Sequence, residues 1–292
     1  MKKITVLTFL LCFLSTSAWS ASLQLAGKTV GIGQPSWVRV CLDRKVSKLT
    51  VRLCQREFDL EKVKKNCYAG PIAVDVRQKL GYYLVTALAD GRQVASAKIK
   101  VVSKDYGVRR ITVNKKYSKL TAEQLARYRR EIASIKAAIK NSSAGRLWKG
   151  SFIKPVATKV VSRFGKRSIV NGIEKSPHGG VDLRGKVGDP VKAPANGRVN
   201  LVLDTYFGGL MVMIDHGRGL VSCYLHLSAA LVEPGQVVEK GEVIGEVGSS
   251  GRVTGPHLHW GIYLAGAKLS PLDWIDTSKT LSRFYGETNA KN

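Results

Sequence analysis

Seven residues near the C-terminus read Gly255-Pro256-His257-Leu258-His259-Trp260-Gly261. Side chains alternate between the two faces of a strand, so His257 and His259 lie on the same face if this run is extended. A third histidine, His178, opens a segment that ends four residues later at Asp182, and the same alternation gives these two side chains a common face. Two imidazoles and a carboxylate suit a single zinc ion whose fourth position is left to water.

Short strands separated by glycine-rich turns are predicted throughout residues 151–278, which hold all five histidines of the chain. The glycines mark tight turns and bulges, and no segment has the pattern of a parallel α/β unit. We therefore predict a compact antiparallel β domain over 151–278, followed by a C-terminal tail over 279–292. Its main predicted strands cover residues 191–194, 197–203, 210–216, 220–227, 237–238, 242–247 and 258–264.

The N-terminal part, residues 22–103, is also predicted to be β-structure. Its segments rich in valine, leucine and tyrosine are separated by turns such as Gly70-Pro71 and Asp90-Gly91. Repeated short strands of this kind indicate an immunoglobulin-like β-sandwich. No polar cluster in it has a catalytic pattern, so a docking role and a spacer role are both open. The predicted strands cover residues 37–42, 49–53, 72–76, 82–89 and 94–102.

Residues 104–150 are predicted to form a basic linker that contains one helix at 121–140. Thr121 and Gln124 match a capping box, in which each side chain bonds to the other residue's backbone N–H at the start of a helix. Apolar residues then recur at helical spacing, and arginine and lysine residues occupy much of the other side. This apolar stripe favours packing on protein, with a membrane-surface helix as the alternative.

Residues 1–20 have the organisation of a cleaved signal peptide. Lys2 and Lys3 precede an apolar run over 4–14, and Ala18-Trp19-Ser20 forms a small-x-small cleavage site. The apolar run is too short for a good membrane span, and no later stretch is apolar enough to cross a membrane. We therefore predict export to the periplasm or cell envelope, with secretion into the medium as the alternative.

The net charge restricts the choice of partners. The chain carries a formal charge of +26, or +24 without Lys2 and Lys3, and most of it lies outside residues 151–292. A protein with a strongly basic surface attracts polyanions. For an exported protein we expect an anionic membrane or an anionic envelope polymer, and we do not expect nucleic acid. The oligomeric state is open.

Four cysteines remain after cleavage at residue 20, namely Cys41, Cys54, Cys67 and Cys223. Export permits disulfides, and at most one pair can close among the three cysteines of the N-terminal part. Two pairings are open, Cys54–Cys67 and Cys41–Cys54, and the first is favoured. Cys223 lies on an apolar strand and is predicted to be a buried free thiol.

Several motifs of the C-terminal part occur together in one order. They include Phe164-Gly165-Lys166-Arg167, His178-Gly179-Gly180-Val181-Asp182, Tyr224-Leu225-His226-Leu227-Ser228 and Gly255-Pro256-His257-Leu258-His259-Trp260. With these motifs, the region from 152 to 274 resembles the lysostaphin-type (LytM-like) zinc metallopeptidases, a family of exported bacterial cell-wall endopeptidases. The N-terminal β domain and the connecting helix resemble the layout of exported members.

The resemblance implies roles for individual residues. The positions that match the family's ligands for one Zn²⁺ ion are His178, Asp182 and His259. The positions that match its catalytic histidines are His226 and His257, whose separate roles are open. One further residue, Tyr206, stands beside Gly208-Gly209 and is a candidate for lining the substrate groove.

The fold implied is mainly β, with a sandwich, a connecting helix and an antiparallel metallopeptidase domain. The activity implied is hydrolysis of the peptide cross-links of peptidoglycan, which would be the partner polymer. Every motif position is present, which favours an enzyme. The alternative is a non-catalytic wall-binding regulator, for example an amidase activator, on the same fold.

Overall fold

The computed structural model describes residues 19–112 and 120–286. Residues 1–18 of the predicted signal peptide and the basic run 115–119 lie outside the described residues. Strands dominate the described part, which confirms the mainly β prediction. The strands of the first half are β1 (Ala21–Leu25), β2 (Thr29–Gly31), β3 (Pro35–Leu42), β4 (Leu49–Leu53), β5 (Arg56–Asp59), β6 (Glu61–Lys64), β7 (Cys67–Ala73), β8 (Gly81–Ala89), β9 (Arg92–Val102) and β10 (Val108–Ile111).

The second half begins with a helix, continues in strands and ends in a second helix. Its elements are α1 (Ala122–Lys140), β11 (Val160–Ser162), β12 (Arg167–Val170), β13 (Ile173–Glu174), β14 (Gly180–Arg184), β15 (Pro190–Lys192), β16 (Gly197–Thr205), β17 (Gly209–Gly217), β18 (Leu220–Ala230), β19 (Val237–Val238), β20 (Val243–Val247), β21 (His257–Leu264), β22 (Ala267–Leu269) and α2 (Pro271–Phe284). The described helices include none that is long and apolar enough to cross a membrane.

The N-terminal part consists of two sheets, with strand orders β1-β3-β7-β6 and β2-β9-β8-β4-β5. Alternate residues of β3 are buried, and Val38 and Val40 belong to the same hydrophobic cluster as Val51 and Val85 of the other sheet. The two sheets therefore share one core, as expected where each sheet must bury an apolar face.

The disulfide joins Cys41 to Cys67, so both expected pairings, Cys54–Cys67 and Cys41–Cys54, are wrong. Cys41 of β3 lies directly opposite Cys67 of β7, and their Cα atoms are 4.1 Å apart. Cys54 follows β4 in the turn before β5 and is a free thiol. Strand register decides the pairing, because it places side by side two residues that are 26 positions apart. Cys223 is a buried free thiol, as predicted.

The predicted helix at 121–140 is confirmed as α1, with Thr121 as its N-cap. The side chain of Thr121 accepts the N–H of Gln124, and the side chain of Gln124 accepts the N–H of Thr121. Ile135, Ala138 and Ile139 pack in one apolar cluster with residues of β16, β17 and β18. The apolar stripe of α1 therefore packs on the C-terminal sheet.

Strand β10 lies within the predicted linker, at a place where the sequence indicated no strand. It pairs in parallel with β12, and Arg109 lies opposite Ser168. Together with β13 these strands form a three-stranded sheet, β10-β12-β13. Residues 108–111 are thus joined by hydrogen bonds to the C-terminal part of the chain.

The C-terminal part is built on an antiparallel sheet of order β11-β14-β21-β18-β17-β16-β19, which β15, β20 and β22 extend. The central strands β17 and β18 are buried over most of their length. Helix α2 begins at Pro271, is capped by the hydroxyl of Ser270, and buries Trp274 and Leu281. Because α2 continues to Phe284, the first residues of the predicted tail 279–292 are helical. The ring of Phe284 contacts Trp37 of β3, with 4.7 Å between ring centroids.

Candidate metal and active site

Three neighbouring strands of the C-terminal sheet carry most of the predicted site residues. Asp182 belongs to β14, His257 and His259 to β21, and His226 to β18, and these strands are adjacent in the order β14-β21-β18. The antiparallel register sets Asp182 opposite His259. On the other side of β21, His259 lies opposite Leu225, the residue before His226. Strand pairing thus brings together positions that are distant in sequence.

Three side-chain atoms converge at this place. Nδ1 of His259 lies 2.9 Å from Oδ1 of Asp182 and 3.0 Å from Nε2 of His178. That Nε2 atom lies 3.0 Å from the same carboxylate oxygen. The three residues form a group that could hold a metal ion. In a tetrahedral zinc site with bonds of about 2.0–2.1 Å, ligand atoms are roughly 3.3 Å apart, so the donor types and their spacing fit zinc.

A backbone carbonyl orients the ring of His178, and a glycine makes room for the ring of His259. Nδ1 of His178 lies 2.9 Å from the carbonyl oxygen of Arg163 and donates its proton to it, which leaves the lone pair of Nε2 directed at the cluster. Gly180 permits the close approach of His259, because a Cβ atom at residue 180 would lie 2.8 Å from Nε2 of His259 and would collide with the carbonyl of Trp260.

The electrostatics of the cluster favour metal binding. Burial alone would raise the pKa of Asp182, but hydrogen bonds from His178 and His259 outweigh it and hold that pKa well below its usual range. Burial lowers the pKa of His259. At neutral pH these two groups are therefore an ionised carboxylate and a neutral imidazole, the states in which they can bind a metal.

His226 and His257 lie side by side next to this cluster, with 4.9 Å between their ring centroids. Nε2 of His257 is 3.8 Å from Oδ1 of Asp182. Each ring has its Nδ1 atom on a backbone carbonyl, that of Ser250 at 3.0 Å for His226 and that of Gly255 at 2.9 Å for His257. Both rings therefore keep Nε2 as the nitrogen available for proton transfer.

The backbone of His226 has a left-handed conformation, with φ of 67°, which is uncommon for a residue with a side chain. Its N–H donates to the carbonyl of Gly208 at 2.9 Å. Burial lowers the pKa of His226 to about 4, so its imidazole is neutral at physiological pH. A neutral imidazole with a free Nε2 can accept a proton.

The model of peptidase family M23 matches residues 176–271, a range that contains the three residues of the cluster and the two adjacent histidines. Residues 176–271 therefore form a domain of the M23 peptidase type. This match confirms the predicted resemblance to the lysostaphin-type (LytM-like) peptidases.

Two relatives with named activities are similar to part of the chain. The chain is 39% identical over 97 residues to the peptidoglycan DD-endopeptidase ShyA of Vibrio cholerae, a match that covers 33% of this chain and 23% of ShyA. It is 40% identical over 126 residues to the DD-carboxypeptidase/endopeptidase Mpg of Neisseria meningitidis, covering 42% of this chain and 29% of Mpg. The chain thus spans less than a third of the length of either relative.

A solved structure is similar over more of the chain. A crystal structure from Pseudomonas aeruginosa assigned to peptidase M23 superposes with a TM-score of 0.67 at 29% sequence identity. The match covers 83% of this chain and 94% of the other. The similarity of fold therefore extends beyond the M23 domain into the N-terminal sheets.

A cavity of about 480 Å³ opens at the cluster in the M23 domain. All five histidine and aspartate residues predicted for the site contribute to its lining. The basic side chains that also line it are Arg109, Lys166, Lys175 and Arg252. The sequence did not single them out, because isolated basic residues in a chain of charge +26 look like ordinary surface residues.

Tyr206 is not among the described residues that line this cavity. Its ring packs edge-on against Phe207, with 5.0 Å between centroids. Its backbone N–H donates to both carboxylate oxygens of Glu131 on α1, at 3.0 and 3.1 Å. Glu131 is a buried acid that the sequence did not indicate, since a glutamate within a basic helix is usually exposed.

The remaining histidine, His216, is fully buried and does not line the cavity. Its two ring nitrogens contact the carbonyl of Asn196 and the hydroxyl of Ser222, both at 2.8 Å. Burial lowers the pKa of His216 to about 4, so it is neutral inside the fold. These contacts satisfy both nitrogens, as expected of a structural residue.

Proposed function

We propose that this protein is an exported zinc endopeptidase that hydrolyses peptide cross-links of peptidoglycan. The observation that carries the proposal is the convergence of His178, Asp182 and His259 on one point, with His226 and His257 beside them in the same cavity. Three protein ligands with a position left open are typical of catalytic zinc sites, whereas structural sites use four.

The protein's own groups suit general acid–base catalysis. A zinc ion held by the cluster would polarise the scissile carbonyl and lower the pKa of a water molecule to about 7. His226 and His257 hold their Nδ1 protons on backbone carbonyls, so each can take a proton only at Nε2. A ring that has accepted a proton there becomes a donor, and it can then stabilise the negative charge that develops on the substrate oxygen.

The choice of peptidoglycan as substrate rests on three supports. The two relatives described above are named for endopeptidase activity, and ShyA for peptidoglycan. The N-terminal 20 residues have the pattern of an export signal, which would bring the protein to the periplasm or cell envelope. The charge of +26 favours association with anionic envelope polymers.

The test is digestion of purified peptidoglycan sacculi by the zinc-loaded protein, with and without a chelator. We expect released muropeptides whose masses show loss of cross-links, and we expect the chelator to stop their release and added zinc to restore it. His257→Ala is the matched control, because it should retain zinc and lose turnover.

The same assay discriminates the alternative function, a wall-binding regulator that keeps its metal. A protein that contains zinc and binds sacculi, yet releases no fragment under any metal condition, would contradict the enzyme proposal. Stimulation of a separate amidase by that protein would then support the regulator.

A further inference from the structure

The cavity at the cluster of His178, Asp182 and His259 is lined by more basic than acidic side chains. Four basic side chains line it, and Asp182 is the one carboxylate among its described lining residues. That carboxylate is already engaged with His178 and His259. The basic residues come from separate segments, so no single charged run of the sequence accounts for them. They lie in β10, directly before β12, directly after β13 and in the loop before β21.

Strand alternation explains which basic residues face the cavity. Every second residue from the position before β12 to its end lines the cavity, namely Lys166, Ser168 and Val170. Arg109 lies opposite Ser168 in the parallel pair and therefore shares its face. Arg110, the next residue of β10, does not line the cavity.

Three of these cations have no carboxylate partner among the described residues. Arg109, Lys166 and Lys175 make no ion pair within the ranges that the structure describes. The contrast within the same small sheet is Arg167, which does not line the cavity and lies 3.5 Å from a carboxylate oxygen of Glu174. Lys166 is half-buried, and partial burial of a charge without a partner costs free energy that a bound anion would recover.

Arg252 supplies the fourth cation from the loop before β21. Its guanidinium lies over the ring of Phe207, 5.5 Å from the centroid, and its backbone N–H donates to the carbonyl of Phe207 at 3.0 Å. These contacts hold residue 252 at the rim of the cavity. The basic residues that line the cavity therefore come both from the region of the β10-β12-β13 sheet and from the loop before β21.

We infer that the cavity selects peptides that carry free carboxylates beside the scissile bond, and that Arg109, Lys166 and Lys175 bind those carboxylates. The inference rests on the proposed peptidase function, because the anionic groups that a peptide substrate brings into the cavity are its carboxylates. A neutral peptide of the same shape leaves the cations without partners. Arg109 is then a specificity residue contributed by the segment between the two β parts.

The test uses two soluble cross-linked peptides that are identical except that one has free carboxylates and the other has carboxamides. Binding is measured calorimetrically on the zinc-loaded full chain carrying His257→Ala, and cleavage is measured as kcat/KM on the otherwise unchanged protein. We expect the carboxylate form to bind roughly thirtyfold more tightly at low salt, since each of three partly exposed ion pairs changes affinity by about threefold. The preference should shrink as salt is raised.

Single substitutions locate the effect. Arg109→Gln and Lys175→Gln should each reduce the preference about threefold while leaving the affinity for the carboxamide peptide unchanged. Arg110→Gln removes the same charge from the same strand outside the cavity lining, and it should leave the preference intact. Equal affinity for the two peptides would overturn the inference, and so would an equal loss of preference in Arg110→Gln and Arg109→Gln.

Failure of the proposed function has a different outcome. If neither peptide is cleaved but the binding preference and its dependence on Arg109 persist, the carboxylate site stands and the peptidase proposal falls. If both peptides are cleaved with equal kcat/KM and bound with equal affinity, the peptidase stands and the carboxylate site falls.

Discussion

Glu131 connects helix α1 to the turn beside the candidate active site, and its removal should loosen that turn. Its side chain is 7% exposed and accepts Nε of Arg127 at 2.7 Å. It also accepts the N–H of Tyr206, at the start of the turn whose Gly208 carbonyl receives the N–H of His226. Replacing Glu131 by alanine leaves the Tyr206 N–H without this acceptor. The turn that holds the backbone of His226 through Gly208 is then less firmly fixed.

The expected loss can be estimated from these contacts. A hydrogen bond to a charged acceptor contributes about 1.5–3 kcal/mol, and the pair with the half-exposed Arg127 about 0.5 kcal/mol. We expect Glu131→Ala to lower the free energy of unfolding by about 2–3.5 kcal/mol. Glu131→Gln should lose roughly half as much, since its amide oxygen can still accept. Urea unfolding can be followed by the fluorescence of Trp260 and Trp274, which are fully buried.

Glu123 provides the matched control, because it is an exposed acid in the first turn of the same helix. Glu123→Ala should cost less than about 1 kcal/mol, the usual size of a favourable charge at a helix start. If Glu131→Ala and Glu123→Ala unfold at the same urea concentration, the hydrogen bonds of Glu131 do not stabilise the fold as proposed. In the peptidase assay, Glu131→Ala should reduce kcat more than it changes KM.

Three further predictions concern the metal, the pH response and the disulfide. His259→Ala should weaken zinc binding by more than about tenfold, whereas His257→Ala should keep one zinc per chain after dialysis; equal zinc contents in the two variants would contradict the proposed roles. The pKa of His216 is lowered from 6.5 to about 4, so the unfolded chain gains a proton in this range before the folded protein does. The stability that depends on a neutral His216 is complete well above pH 6.5 and falls as the pH drops, with a total loss of about 2 kcal/mol at pH 5. When the free energy of unfolding in urea is compared between neutral pH and pH 5, the His216→Asn variant should lose about 2 kcal/mol less than the unchanged protein. Equal losses in the two proteins would contradict the effect of burial on His216. Reduction of Cys41–Cys67 should cost about 3 kcal/mol, because the bridge spans 26 positions, and identical unfolding midpoints with and without reductant would mean that the bridge does not form.

Elements whose features are local could be predicted from the sequence. The start of α1 follows from Thr121 and Gln124, three residues apart, and the helix continues through a regular apolar stripe. Strands such as β4, β18 and β21 follow from short apolar runs between turn residues. For the site, the period of two placed His257 with His259 and His178 with Asp182. The strand register that joins the two pairs was not visible in the sequence.

Features that depend on distant partners could not be predicted. The Cys41–Cys67 bridge depends on the register of β3 against β7, and local spacing favoured Cys54 instead. Strand β10 is only four residues long, and its partner β12 lies more than 50 positions away. Glu131 is buried because Tyr206, 75 positions later, presents a backbone N–H to it. In each case the deciding contact is made by tertiary structure, which overrides local pattern.

Strand β10 also limits how short a working catalytic fragment can be. A fragment that began at residue 151, where the sequence pattern places the domain boundary, would leave one edge of β12 with unpaired backbone groups. An open edge of this kind recruits other chains and promotes aggregation. The fragment would also lack Arg109, one of the basic residues that line the cavity. Cut sites for producing the M23 domain on its own therefore belong before Val108 rather than after α1.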